Sequence, residues 1–340
     1  MSIDILKEDL KQKKIKNLYL FYGPEEYLKY YYLDAIEKLL LKAEFMQLNK
    51  IVLEGKLDQG RLIDNCETLP VFSEKKLVVV KDSNLFKAAK SEGKGKSKAK
   101  DGGDILTAFL ENTPEHTCLI FLEQEIDKRL KLVDIIKKYG LLVEFGYQKP
   151  AELVKWVIKA FKSYKKTIDS MAAAQLVENN ELGMNELLNE ISKLVQYTGG
   201  RNEINAEDIE SVCVKSVKGR VFDLTDAIAE KNGMLALKYL NDMIILKEPL
   251  PKILYMITRQ FRHILEMKLL VKEGMSSAQA ASKMGITPYG ASKAIKQAES
   301  FETGTLKKAL EKSLEYDLAI KTGRINDRIA LELMISEFCK

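Results

Sequence analysis

The 340-residue sequence predicts an α/β domain with a largely parallel sheet, followed by all-α structure to the carboxy terminus. Two patterns carry the expectation. Up to Phe145, short apolar runs alternate with stretches of helical periodicity, and after Gln148-Lys149-Pro150 the strand-like runs stop. Parallel strands need long crossovers, usually helices, and those crossovers cover both faces of the sheet.

Leu18-Tyr-Leu-Phe-Tyr22 reads as a buried strand ending at Gly23-Pro24. Residues 27–41 then place apolar side chains at helical spacing. Residues 49–53 read as a second strand, and 58–67 as a helix with Asp58 as its cap. Residues 77–80 are a β-branched strand, 105–111 a helix, 118–122 a strand, 129–139 a helix and 141–145 a closing strand. Residues 91–103 break this rhythm. They are rich in glycine and lysine and read as a solvated loop. Beyond residue 150, helices are expected over 151–164, 170–179, 184–197 and from 206, with a link around 213–219. From residue 221 the chain reads helical, with breaks at Pro249 and Pro251, Gly274, residues 285–288 and Gly304. One helix is plain: Ile253, Ile257, Phe261, Ile264 and Leu265 form an apolar stripe while Arg259, Arg262 and Lys268 face away. The expected domains are 1–147, 148–214 and 215–340.

Composition narrows the chemistry. Hydrophobic residues make up 46% and charged residues 30%, a globular balance that excludes a collagen or a wholly disordered chain. No apolar run approaches the roughly 20 residues of a membrane helix, and the amphipathic, acidic amino terminus lacks the core of a signal peptide. No membrane association and a cytoplasmic location are the expectation. The four cysteines, Cys66, Cys118, Cys213 and Cys339, lie far apart and read as free thiols. Only two histidines exist, His116 and His263, so neither a histidine-rich metal site nor a catalytic triad is expected. The net charge of +5 equals that of the stretch between Lys87 and Lys100, which holds six lysines and one glutamate. The rest of the chain is neutral overall and lacks the diffuse basic field of a dedicated duplex binder.

A strand running into Gly23 and then a helix is where a phosphate-binding loop would sit. The working motif is G-x-x-x-x-G-K-[ST]: its backbone N–H groups wrap the phosphates, its lysine reaches the terminal phosphates and its hydroxyl holds Mg²⁺. Gly23 and Lys29 are in register, but Leu28 replaces the second glycine and Tyr30 the hydroxyl. Pro24 removes an N–H donor, and Glu25 and Glu26 add repulsion. The strand expected to end in an acidic pair for Mg²⁺ ends instead in Lys81-Asp82, with Glu123 a lone acid on another strand. The motif is therefore degenerate. Lys29 reads as a solvated helix lysine, and no cofactor or metal is expected.

An α/β domain with an inert nucleotide loop, followed by a small helical domain, resembles an AAA+ module that has lost its ATPase. Six pieces in order are similar to the bacterial DNA polymerase III delta subunit, the clamp-opening subunit of the clamp loader. They are residues 69–73 with 77–82, 122–129, 187–194, 221–228, 257–262 and 314–323. Residues 91–103 are an insertion relative to that pattern. The resemblance implies an AAA+-like sheet domain, a helical lid and a helical collar that joins subunits into a ring. It also implies a non-catalytic subunit of the polymerase holoenzyme that binds the sliding clamp (the beta subunit) and the gamma/tau and delta prime loader subunits. Clamp contact is implied for Leu69, Pro70, Val71 and Phe72, which follow a helix and precede a charged run. The family more often has a larger residue where Val71 stands. Primer–template DNA lies inside the family's assembled ring, so Arg259, Arg262, Lys94, Lys96, Lys98 and Lys100 are candidate contacts. Two other readings stand beside this one. Residues 276–284, Gly285 and 288–298 have helix-turn-helix rhythm, as in a sequence-specific regulator. A divergent loop using Lys29 would instead make an active P-loop NTPase.

Overall fold

The structure, a computed structural model, describes residues 2–55, 58–87, 101–180, 183–213 and 216–339. The chain forms two compact units, Met1–Tyr147 and Gln148–Lys340.

In the first unit the elements follow the order α1 (Ser2–Lys11), β1 (Leu18–Tyr22), α2 (Glu26–Leu40), α3 (Met46–Asn49), β2 (Lys50–Glu54), α4 (Gln59–Glu67), β3 (Lys76–Lys81), α5 (Asp101–Glu111), β4 (Thr117–Glu123), α6 (Lys131–Tyr139) and β5 (Leu141–Glu144). The sheet is parallel throughout, in the order β2-β3-β4-β1-β5. Successive side chains point to opposite faces, so a strand buried on both sides must be apolar at every position. Tyr19 and Phe21 of β1 pack with Leu77, Val79, Ile120 and Val143 under Tyr32, Leu33 and Ile36 of α2 and Leu6 of α1. Leu18 and Leu20 pack on the other side with Val78, Val80, Leu119 and Phe121, against Leu62 of α4, Leu110 of α5 and Ile136 of α6. The expected strands and crossover helices are all present, and Asp58 caps α4 by accepting the Gly60 N–H at 2.9 Å.

Two features of this unit differ from expectation. The amphipathic amino terminus is a helix, because Leu6 buries against the sheet with Ile3 and Leu10 beside it. The helix read as starting at residue 105 begins at Asp101, so the expected loop is shorter at that end; residues 91–100 lie outside the described residues.

The second unit runs α7 (Pro150–Ser163), β6 (Thr167–Ile168), α8 (Ser170–Asn179), α9 (Met184–Thr198), β7 (Glu203–Ile204), α10 (Ala206–Val212), α11 (Val217–Ala229), α12 (Gly233–Ile245), α13 (Leu250–Lys272), α14 (Ser277–Met284), α15 (Pro288–Ser300), α16 (Thr303–Lys321) and α17 (Asp327–Phe338). Strands do not stop at residue 150: β6 and β7 form a two-stranded parallel ladder. Two residues per strand are too few to leave a periodic signal. The breaks expected at Pro249 and Pro251 and at Gly304 are present, between α12 and α13 and between α15 and α16, with Pro251 and Gly304 just inside the helices that follow. Each lies in a first turn, where a missing N–H or a flexible backbone costs little. Unexpected breaks fall after α11, where Lys231 is left-handed and Asn232 caps α12, and after α16, where Gly323 is left-handed and Asn326 caps α17. Similarly, α11 starts within the expected link, capped by Ser216. The apolar stripe of α13 is confirmed: Ile253, Ile257, Phe261 and Ile264 enter a core with Leu224, Met243, Leu306 and Met334. Inside this unit the Gln297 amide bonds Gln260, Thr225 and Asp226, joining α11, α13 and α15 through buried polar contacts.

Gly23 follows β1 with φ at +122°, and a Cβ there would collide with the Phe145 carbonyl. Gly23→Ala should therefore lose about 3 kcal/mol of stability through backbone strain and collision, read as a lower denaturant midpoint.

Candidate functional site

At β1 the sheet has a topological switch. The chain leaves β1 toward β2 over one face, and leaves β4 toward β5 over the other. The crevice between the carboxyl ends of two such strands is where this class of fold binds ligands. Here the crevice is closed by the chain's own groups. The Gly23 N–H is shared between the carbonyls of Gln124 (3.1 Å) and Glu123 (3.3 Å), and the Glu25 N–H donates to Phe145 O at 3.0 Å. Pro24 has no N–H to offer. Leu28 packs against the core, and the Tyr30 ring lies 4.9 Å below the Lys81 ammonium.

Lys29 is not the solvated lysine that the sequence suggested. It is only 4% exposed, and its Nζ donates to Glu123 O at 3.1 Å. Burial pulls its pKa below the usual lysine value, against the pull of Glu26, Asp82, Glu123 and Glu25. Gly23, Leu28, Lys29 and Tyr30 thus come together, with the amine plugging the crevice instead of awaiting a phosphate. Nearby, Glu123 is buried and accepts from the Ser83 N–H (2.9 Å) and Oγ (2.5 Å). Burial raises its pKa above the usual carboxylate range, and the Ser83 bonds oppose that rise. These features argue against an active NTPase. Among the described residues no cluster of His, Cys, Asp and Glu is placed to hold a metal. Burial also pushes the thiols of Cys66, Cys118 and Cys213 up to about 12, so none is a ready nucleophile.

The opposite end of the same sheet is built for display. Leu69, Val71 and Phe72, between α4 and β3, are 71%, 42% and 80% exposed, with Pro70 among them. The loop is nevertheless tied at both sides. Where α4 ends, Thr117 Oγ1 donates to Cys66 O at 2.7 Å, and the buried Lys76 amine donates to Thr68 O. Farther on, the Asn49 side chain accepts the Val71 N–H at 2.7 Å and donates to Val71 O at 2.8 Å. Phe72 is held in the left-handed region at φ +52°, with its ring 5.7 Å from that of Phe45. Sequence reasoning missed Asn49, which it placed at the start of a strand. The residue ends α3, and nothing in spacing reveals that its side chain reaches a loop more than twenty residues away.

In the second unit Arg259 and Arg262 are exposed on α13. The lysine candidates Lys94, Lys96, Lys98 and Lys100 lie outside the described residues. The helix-turn-helix shape exists, with Gly285 left-handed between α14 and α15. However, α15 buries Ala291, Ala294, Gln297 and Ala298 against its neighbours, and Lys293 lies over the Phe222 and Tyr289 rings. Such a helix has little free face to read a major groove. Among the described residues no helix is long and apolar enough to cross a membrane.

The sheet order, the self-filled phosphate loop and the helices that follow define an AAA+-like chain whose nucleotide crevice is closed from within. Family models agree. "DNA polymerase III, delta subunit" matches residues 19–146, and "DNA polymerase III delta subunit, C-terminal domain" matches residues 218–338. The DNA polymerase III subunit delta of Bacillus subtilis (strain 168) is 27% identical over 345 residues, covering 100% of this chain and 97% of the relative. The solved structure of the Bacillus subtilis DNA clamp loader delta protein aligns with a TM-score of 0.50 and 26% identity, covering 100% of this chain and 99% of that one. The chain belongs to the DNA polymerase III delta-subunit family.

Two outcomes follow from the closed crevice. The purified chain should show no Mg²⁺-dependent ATP binding by calorimetry, and Lys29→Ala should not create any. Glu123→Gln should melt at a higher temperature than the parent at pH 8, with the gap closing as the pH falls toward 5. The folded pKa of Glu123 is raised, so its stabilising, protonated form is lost as pH rises through that value.

Proposed function

We propose that this chain is the clamp-opening subunit of a cytoplasmic sliding-clamp loader, docking on the clamp (the beta subunit) through Leu69, Pro70, Val71 and Phe72. The observation that carries this reading is the exposed apolar loop, held on a rigid frame at the sheet end opposite the closed nucleotide crevice. Large apolar side chains left in water on an otherwise ordered loop mark a surface that another protein covers. A closed ring is opened by a ligand that binds the sprung form better than the closed one, and the shift cannot exceed that difference in affinity. The chain supplies this binding energy. ATP is bound and hydrolysed by neighbouring gamma/tau subunits, with delta prime completing the ring.

Residues 148–214 serve as the lid and 215–340 as the collar that joins the subunits. Exposed apolar pairs one turn apart support this role: Leu314 and Leu318 on α16, and Ile329 and Leu333 on α17. Arg259 and Arg262 reach the phosphates of primer–template DNA in the assembled ring. Contacts of that kind position a duplex without reading its sequence.

Phe72→Ala should weaken binding to the sliding clamp most. A buried phenylalanine side chain contributes about 1.5–3 kcal/mol, and the smaller Val71 less. A quantitative pull-down of the clamp by each full-length variant measures this. Retention of the clamp by the Val71→Ala, Phe72→Ala double variant at the parental level would refute the docking assignment.

A further inference from the structure

We infer that Asn49 is a positioning residue for the docking loop: its carboxamide clamps the Val71 peptide and holds Leu69 and Phe72 ready for the partner. This rests on the clamp-docking reading above. Asn49 is 1% exposed although it lies beside an exposed loop. Its Oδ1 accepts the Val71 N–H at 2.7 Å, while its Nδ2 donates to Val71 O at 2.8 Å and to Phe45 O at 3.0 Å. Both amide hydrogens and one oxygen lone pair are therefore used, in a pairing that imitates a rung of sheet.

Few side chains can replace it. Aspartate keeps the acceptor but loses both donors and sets an anionic oxygen against two carbonyls. Leucine supplies neither group, and glutamine is one methylene longer than the buried asparagine whose bonds it would have to make. The bond to Phe45 O orients the amide, and the Phe45 ring lies beside that of Phe72. One buried residue thus fixes the Val71 peptide and, with it, the left-handed turn at Phe72 that follows. Without it the loop would sample many conformations and would have to be ordered again at each binding event. Preorganisation removes that cost from the affinity.

The test uses the full chain and the intact sliding clamp of the same cell. Asn49→Ala, Asn49→Asp and Phe72→Ala are compared with the parent by equilibrium clamp binding, thermal melting and amide hydrogen exchange. Asn49→Ala should bind the clamp about tenfold more weakly. Its Val71 amide should lose protection while the amides of β3 and β4 keep theirs, a local change that general destabilisation would not produce. Asn49→Asp should weaken binding in the same direction, and it serves as the test if the alanine variant does not fold. Weak binding by Phe72→Ala together with parental binding by a folded Asn49 variant overturns the role of Asn49 alone. Parental binding by Phe72→Ala overturns the docking assignment, and the role of Asn49 with it.

Discussion

Burial of the central strands β1, β3 and β4 on both faces is the constraint from which the rest of the amino-terminal unit follows. With α1 and α2 on one side and α4, α5 and α6 on the other, the central strands have no open face, while edge strand β2 leaves a side chain such as Val52 in water. The central strands are reached only at their two ends, and in a parallel sheet the ends differ. The carboxyl ends of the strands converge on the switch between β1 and β4, and the amino ends carry the returning loops. One end is sealed by backbone hydrogen bonds and a buried lysine, while the other displays three apolar side chains to water.

The sealed end is costly in electrostatic terms. Lys29 and Glu123 both shift toward their neutral forms, because burial outweighs the nearby acids around Lys29 and the Ser83 hydrogen bonds to Glu123. A nucleotide site would put that lysine to use against phosphate. Here its bond goes to the Glu123 carbonyl, and Ser83 serves one carboxylate oxygen, Oε1, while Oε2 is buried without a hydrogen-bond partner. The crevice has become part of the packing that keeps the sheet rigid. At the far end, hydrogen bonds with Asn49, Thr117 and Lys76 hold the loop while its side chains are exposed.

The strands of the main sheet were legible because a run such as Leu77-Val-Val-Val80 has no other stable use than a doubly covered strand. The loss of the phosphate loop was legible too, since Leu28, Tyr30 and Pro24 each remove a group that the chemistry needs. The β6–β7 ladder was not, because two residues a side carry no period. Proline and glycine marked the breaks before α13 and α16, because a missing N–H or a flexible backbone is tolerated in the first turn that follows.

Local pattern alone, then, established an α/β unit followed by helices, a nucleotide motif stripped of its donors and an apolar segment after a short helix. Periodicity and residue chemistry act over a few neighbours, so these features needed no fold to be read. Whether Lys29 met water or a carbonyl, and whether Leu69, Val71 and Phe72 turned inward or outward, depended on partners distant in sequence. Glu123 lies 94 residues from Lys29, and Asn49 lies 22 residues from Val71. Only the closing of the sheet brings such groups within hydrogen-bond reach, because long-range contact is a property of the packed chain and not of any segment within it.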